Sequence, residues 1–345
     1  MKILYSICFI LIIFTLSGQT SSTIKIKAKN SKNFNLSEIA EQIQPVGLEI
    51  TAVNQFDRIV DVLWTNTYLF VHAIEVLDAK PLSKVMQFDQ SGKFIRTIKE
   101  SEKLRKIFCD SIMKQIFIHI YGGELLCYDF EGKLINTYKL DKFPDLYTDG
   151  IFWTSHQQFL KDRMDYSLIS HNLQTAKEDT LFNFADEYED KNSVGLGRIA
   201  SFSLRNNMPV VSFGLDNKIY QVEGKKIVPI VNFTIEPEPA LEGLDIYGYQ
   251  FQGFIGNYLC IHFMRKSQHY LYLKNQRTGK VFQTKDSSTD GINDDMLATG
   301  FCKINYLNRS GYFYFVRKRK ELNDSKLNIT DEKTSHFIFF VKLKK

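Results

Sequence analysis

Three histidines end, or nearly end, one recurring apolar phrase: Tyr68-Leu69-Phe70-Val71-His72, Gln115-Ile116-Phe117-Ile118-His119 and Tyr258-Leu259-Cys260-Ile261-His262. Imidazole titrates near neutrality, ligates metals and offers both a donor and an acceptor. Histidines repeated at one position could therefore move protons, hold an ion or edge a ligand pocket. Each phrase is a short apolar run of strand length, the second strand of its repeat, running back toward one common face. A shared metal fails on geometry. A second strand lies about 4.8 Å farther from a common axis than the first, the repeats point in different directions, and the rings cannot meet one ion at about 2 Å. His72, His119 and His262 are ligand-face candidates, expected to hydrogen-bond to nearby turns, and no metal site or cofactor is assigned.

Other reactive types read more plainly. Asp89 and Asp129 precede Gly turns, where an aspartate caps its own turn. The chain carries 28 Phe, 17 Tyr and 2 Trp. Trp153, Tyr147 and Tyr249 lie near strand starts and could stack on a sugar around a channel, while most of the aromatics alternate with polar residues as packing positions do. Cys109, Cys127, Cys260 and Cys302 sit in apolar runs without close zinc spacing and read as buried small hydrophobes, a Cys260–Cys302 bridge being the one pairing left open. No nucleophile elbow, HExxH helix, phosphate loop or dinucleotide fingerprint is present, so no catalytic residue is assigned. Gly195-Leu196-Gly197 lies in a polar loop with no helix start after it. The sequons at Asn232, Asn308 and Asn328 bear on glycosylation only in a eukaryotic secretory path. The long polar connections Ala185 to Gly197 and Lys318 to Thr334 are places where recognition could reside.

The elements that must hold these residues are written in a repeated hairpin: Gly92-Lys93-Phe94-Ile95-Arg96-Thr97, Gly132-Lys133-Leu134-Ile135-Asn136-Thr137 and Gly279-Lys280-Val281-Phe282-Gln283-Thr284. Val85 to Lys99 aligns without a gap on Leu125 to Lys139, 40 residues later. Two further strands lie upstream of each hairpin, and four strands per repeat make one propeller blade. Continued along the chain, the beat gives an all-β, six-bladed β-propeller of four-stranded antiparallel blades. Its last blade, beginning at Phe301 to Tyr306, is one strand short. Val46 to Ala52 is the donor that closes the ring and removes a sheet edge. Before it, Asn35 and Glu38 cap a short helix, Leu36 to Ile43, and Ile24 to Lys27 alternates as a surface strand.

Residues 1–19 have the basic start, apolar run and small-polar end of a secretory signal, too short for a comfortable membrane span. Cys8 lies too deep in the apolar run for lipid attachment. The expected layout is a signal over 1–19, an extension over 20–45 and the propeller over 46–345, working as a monomer in the periplasm or outside the cell. Formal charge falls from +5 to +4 once Lys2 is removed, with the signs interspersed, and no basic stripe suggests nucleic acid.

With Leu48-Glu49 before the first blade, then Phe88-Asp89-Gln90-Ser91-Gly92-Lys93-Phe94 and Tyr128-Asp129-Phe130-Glu131-Gly132-Lys133-Leu134, the chain resembles the secreted six-bladed β-propellers of Gram-negative bacteria, themselves similar to NHL-repeat propellers. That resemblance implies the fold and carries no shared catalytic set. Many members have a Gly- and Pro-rich stretch after the first blade, where this chain has Glu100-Ser101-Glu102-Lys103-Leu104. The expected function is binding of a protein, peptide or glycan through one face of the ring. The alternative is an envelope hydrolase or lyase using His72, His119 or His262 as acid or base at the channel mouth.

Overall fold

In the first two hairpins an aspartate closes the turn, as its position predicts. Asp89 Oδ1 accepts from the Ser91 N–H at 2.8 Å and the Lys93 N–H at 3.0 Å, and Asp129 Oδ1 accepts from the Lys133 N–H at 2.7 Å. Gly92 and Gly132 then sit at φ +89° and +82°, the left-handed region that glycine enters without a Cβ penalty. The computed structural model describes residues 22–159, 163–187, 200–213, 217–236, 248–265, 268–287, 290–322, 325–327 and 333–345. The expected signal, the Gly195-Leu196-Gly197 loop and the sequon at Asn328 lie outside the described residues.

Seven sheets follow in chain order. The first holds Arg58–Trp64, Tyr68–Leu77, Lys80–Asp89 and Phe94–Ser101; the second Leu104–Asp110, Gln115–Ile120, Glu124–Asp129 and Leu134–Lys139. The third holds Leu146–Thr148, Ile151–Phe159, Arg163–Asn172 and Lys177–Glu187. The fourth holds Ala200–Arg205, Met208–Phe213, Lys218–Glu223 and Lys226–Glu236, with Ser22–Lys27 added in parallel on its outer edge. That added strand is the Ile24 to Lys27 alternation, burying Ile24 and Ile26. The fifth holds Gly248–Ile255, Tyr258–Arg265, Gln268–Asn275 and Val281–Lys285. The sixth is small: Phe34–Asn35, Ile292–Asp294 and Gly300–Cys302. The seventh holds Asn305–Tyr306, Tyr312–Lys318, Thr334–Leu343 and Ala40–Glu49.

The six-bladed count is therefore corrected: the described residues form an all-β propeller of seven sheets. The stretch Phe301 to Tyr306, expected to open the final blade, divides. Gly300–Cys302 pairs with Ile292–Asp294 in the sixth sheet, and only Asn305–Tyr306 pairs with Tyr312–Lys318. Strands of two or three residues are too short to show a period of two, so the sixth sheet leaves no pattern to read. The helix expected over Leu36 to Ile43 is also corrected, to one 3-10 turn at Leu36–Glu38 followed by strand from Ala40. The Asn35 N–H does meet Glu38 Oε1 at 3.2 Å, but Ala40, Val46 and Leu48 are buried along an extended strand, and that burial outweighs the capping signal. The closing strand runs over Ala40–Glu49 rather than Val46 to Ala52, and it pairs antiparallel with Thr334–Leu343.

Aromatic pairs join the sheets. Phe70 meets Phe130 between the first and second sheets, Phe108 meets Phe152 between the second and third, and Phe182 stacks on Phe213 between the third and fourth. Phe251 stacks on Tyr306 between the fifth and seventh, and Trp64 stacks on Phe340 between the first and seventh. Polar bonds also cross between sheets. Gln87 donates to the Phe130 carbonyl at 2.7 Å, and the Phe254 N–H donates to Ser203 Oγ at 3.0 Å. Gly253 makes the latter approach possible, since a Cβ there would fall 2.4 Å from Ser203 Oγ. The four described cysteines are all free thiols, so the Cys260–Cys302 bridge does not form.

Candidate ligand site in the central channel

The inner strands of three sheets carry a bulge at the same place, between Ile59 and Asp61, between Leu104 and Lys106, and between Tyr249 and Phe251. The residue after each bulge is registered opposite one of the repeated histidines: Asp61 with His72, Lys106 with His119, Phe251 with His262. A bulge re-aims the side chain that follows it. Here Asp61, Lys106 and Phe251 line a central cavity of about 200 Å³. The histidines form a second layer behind them and do not line the cavity.

The cavity wall is mostly apolar, with Leu63, Ile107 and Phe108 on one side and Leu204, Phe251 and Phe254 on the other. Its charged groups are Asp61, Lys106 and Asp145 from the first three sheets and Arg309 from the seventh. Burial lifts the Asp61 carboxyl to about 6, against the Lys106 charge and the Val62 N–H at 2.8 Å, which both pull it down. Lys106 donates its ammonium to the Asp145 carbonyl, and Asp145 Oδ2 accepts from the Ser155 N–H and hydroxyl, both at 2.8 Å. At one rim stand Asn308, Arg309, Ser310 and Gly311, in the turn between the first two strands of the seventh sheet. A shallower groove of about 560 Å³ shares Cys109, Tyr147 and Leu204 with the cavity and reaches the corresponding turns at Ile112, Gly150 and Asn207. The channel thus opens on the face formed by the turns between first and second strands.

The expected site residues are distributed as follows. His72, His119 and His262 are nearly inaccessible, at 2%, 4% and 5% exposure. Hydrogen bonding to nearby turns is not what the first two do: both ring nitrogens of His72 and of His119 are buried without a hydrogen-bond partner. Burial, helped by Arg58 at His72 and by Arg105 and Lys106 at His119, lowers each to about 4. His262 Nε2 lies 2.9 Å from Asp286 Oδ2 without hydrogen-bond alignment. An acid or base must reach its substrate within hydrogen-bond distance, and rings behind the cavity wall do not.

Tyr147 does line the cavity, with its hydroxyl donated to Asp110 Oδ2 at 2.6 Å. Burial, then the Asp110 carboxylate, raises that hydroxyl far above its ordinary pKa. Trp153 packs in the core with Val211 and Phe213, its indole N–H on Thr148 Oγ1 at 2.7 Å, and does not line the cavity or the groove. Tyr249 pairs through its backbone with Phe263, and its side chain is outside the described residues. Burial pushes the Cys109 and Cys260 thiols up to about 12 and Cys127 to about 11, so none is a ready thiolate. Sequence reading missed Asp61, Lys106, Phe254 and Arg309. The first two could have been found as the inner-strand partners of the repeated histidines, had the bulge been visible.

Fold and channel together define a β-propeller with a ligand-sized central opening. The chain belongs to the family described as Domain of unknown function (DUF4934), whose profile matches residues 21–338. Among solved structures it is similar to a Bacteroides fragilis protein described as exported, at 15% identity and a TM-score of 0.63, over 94% of this chain and 100% of that one. It is also similar to the β-propeller domain of the Trilobed protease from Pyrococcus furiosus, at 10% identity and a TM-score of 0.44, over 75% of this chain and 77% of that one. TolB from Acinetobacter baumannii follows at 11% identity and a TM-score of 0.40, over 75% and 59%. No curated protein matches. Among the described residues no helix is long and apolar enough to cross a membrane, and no group of three or more His, Cys, Asp or Glu is placed to hold a metal.

Proposed function

We propose that this protein is a non-catalytic binding propeller of the cell envelope or its exterior, taking a peptide, protein segment or glycan through the face on which the channel opens. The observation that carries the reading is the cavity itself. Inner strands of six of the seven sheets line it, mostly apolar with a few charged groups, and its rim is made of turns. Pockets of this kind, apolar with a few placed polar groups, are where ligands bind. The export signal read over residues 1–19 and the likeness to a protein described as exported support the location.

Two measurements test it. Ser310 is exposed on the rim, so Ser310→Trp narrows the mouth without touching the core. Binding found on peptide or glycan arrays is expected to disappear in this variant at an unchanged melting temperature; undiminished binding would remove the channel from the reading. Separately, N-terminal sequencing of protein recovered from the envelope or medium is expected to start near Gln19 or Thr20. Recovery of the intact chain from the cytoplasm would overturn the location.

A further inference from the structure

Arg309, at the rim, holds its guanidinium against two aromatic rings. Its guanidinium lies 4.4 Å from the Trp64 ring and 4.9 Å from the Tyr312 ring. Those rings are themselves fixed: the Trp64 indole N–H donates to Gln90 Oε1 at 2.7 Å, Trp64 stacks on Phe340 at 4.3 Å, and Tyr312 meets Trp64 edge-on at 5.3 Å. Asn308, beside Arg309, is occupied in accepting the Trp64 backbone N–H at 2.9 Å. A guanidinium held against rings keeps its in-plane N–H fork free at the edge. Among the described residues no carboxylate or carbonyl takes up that fork, and Arg309 lines the same cavity as Leu204, Phe251, Phe254 and Ile255.

We propose that the channel takes a monocarboxylate bearing a single apolar chain, its carboxylate paired with the Arg309 fork and its chain laid against Phe251, Phe254 and Leu204. This deepens the binding reading and rests on it. The fork matches the planar, two-oxygen carboxylate. A dianion such as phosphate fits less well, because Asp61 faces the same cavity and Lys106 is already engaged with the Asp145 carbonyl. Size agrees, since a cavity of about 150 Å³ lined by Leu, Ile and Phe admits benzene, and this one is about 200 Å³. Two sources present such a group: a free fatty acid, and the C-terminus of a peptide that ends in an apolar residue.

Calorimetric titration of the purified mature protein with octanoate, octanol, and acetyl-Ala-Ala-Phe as free acid and as amide tests the proposal. A carboxylate is expected to bind at least about tenfold more tightly than its neutral partner, the worth of one charge-assisted pair. Tight octanoate points to the fatty acid, and tight peptide acid with weak octanoate points to the chain terminus. In Arg309→Gln the preference is expected to vanish, and in Arg309→Lys to survive in part. Equal binding of acid and neutral partner, lost together in Ser310→Trp, would overturn the carboxylate assignment while leaving the channel as a binding site. Binding of none of the four probes would overturn the carboxylate proposal too, with the array experiment deciding the broader reading on its own. Should Arg309→Gln fail to fold, the acid-to-neutral ratio in the unaltered protein still decides.

Discussion

Gly92→Ala is expected to destabilise the protein by at least about 3 kcal/mol, whereas Gly132→Ala, at the same position of the next hairpin, costs about 1–2 kcal/mol. Both glycines have left-handed φ and share that part of the penalty. They differ in what a methyl group meets. At Gly132 the nearest atoms are side-chain ends, Arg96 Cδ at 3.1 Å and Ile98 Cδ1 at 3.2 Å, which can swing aside. At Gly92 a Cβ would fall 2.0 Å from the Gly47 carbonyl oxygen, on the strand that closes the ring. Backbone cannot swing aside, so the closing strand must retreat and the Glu49 N–H loses its 2.9 Å bond to the Gly92 carbonyl. Urea denaturation of the two variants followed by tryptophan emission measures the difference. Equal losses would mean that the closing strand is not held against the first hairpin as described.

That contact shows how far the sequence could be read. The hairpins, the turn-capping aspartates and the strands of the first two sheets were legible because they are local: alternation, an Asp and a Gly in a fixed order. The need for a closing strand was legible by counting, since a final sheet lacking a strand leaves an edge that something must cover. What failed was non-local. The Asn35–Glu38 pair formed as a capping pair should, yet the segment after it became strand because Thr334–Leu343 offered a ladder that no local signal announces. The sixth sheet was invisible because its strands are too short to carry a period. For the candidate site, the repeated histidines marked the right sheets and the wrong layer. A one-residue bulge in each inner strand brings Asp61, Lys106 and Phe251 to the cavity and leaves the histidines behind them, and a bulge has no sequence signature when the extra residue is an ordinary Val, Arg or Gln. Arg309 was passed over as the middle of a sequon.

Asp61→Asn is expected to stabilise the protein near pH 7–8 by up to about 3 kcal/mol, and at the same time to steepen its loss of stability in acid. Burial raises the Asp61 carboxyl from 3.8 to about 6. Between those values the folded chain holds a proton that the unfolded chain lacks, so stability from this group rises as pH falls through the window, and above pH 6 the charge is a standing penalty. The two histidines run the other way. Burial first, then neighbouring cations, lowers His72 and His119 from 6.5 to about 4. The unfolded chain therefore takes up protons that the folded chain refuses, and stability is lost as pH drops from 6.5 to 4, on the order of 3 kcal/mol per ring. In the unaltered protein Asp61 offsets about one of the two rings. Removing the carboxylate exposes both losses, whereas His72→Leu with His119→Leu removes them and leaves a chain that loses less stability between pH 7 and pH 4.5 than the unaltered protein. Asp61 and His72 face each other across one strand pair, so their single variants should be non-additive with the double variant. Urea midpoints of these variants at pH 4.5, 6 and 7.5 measure all three slopes. An Asp61→Asn variant whose acid limb matches that of the unaltered protein would show that the carboxyl is ionised in the channel throughout, with water reaching it from the mouth.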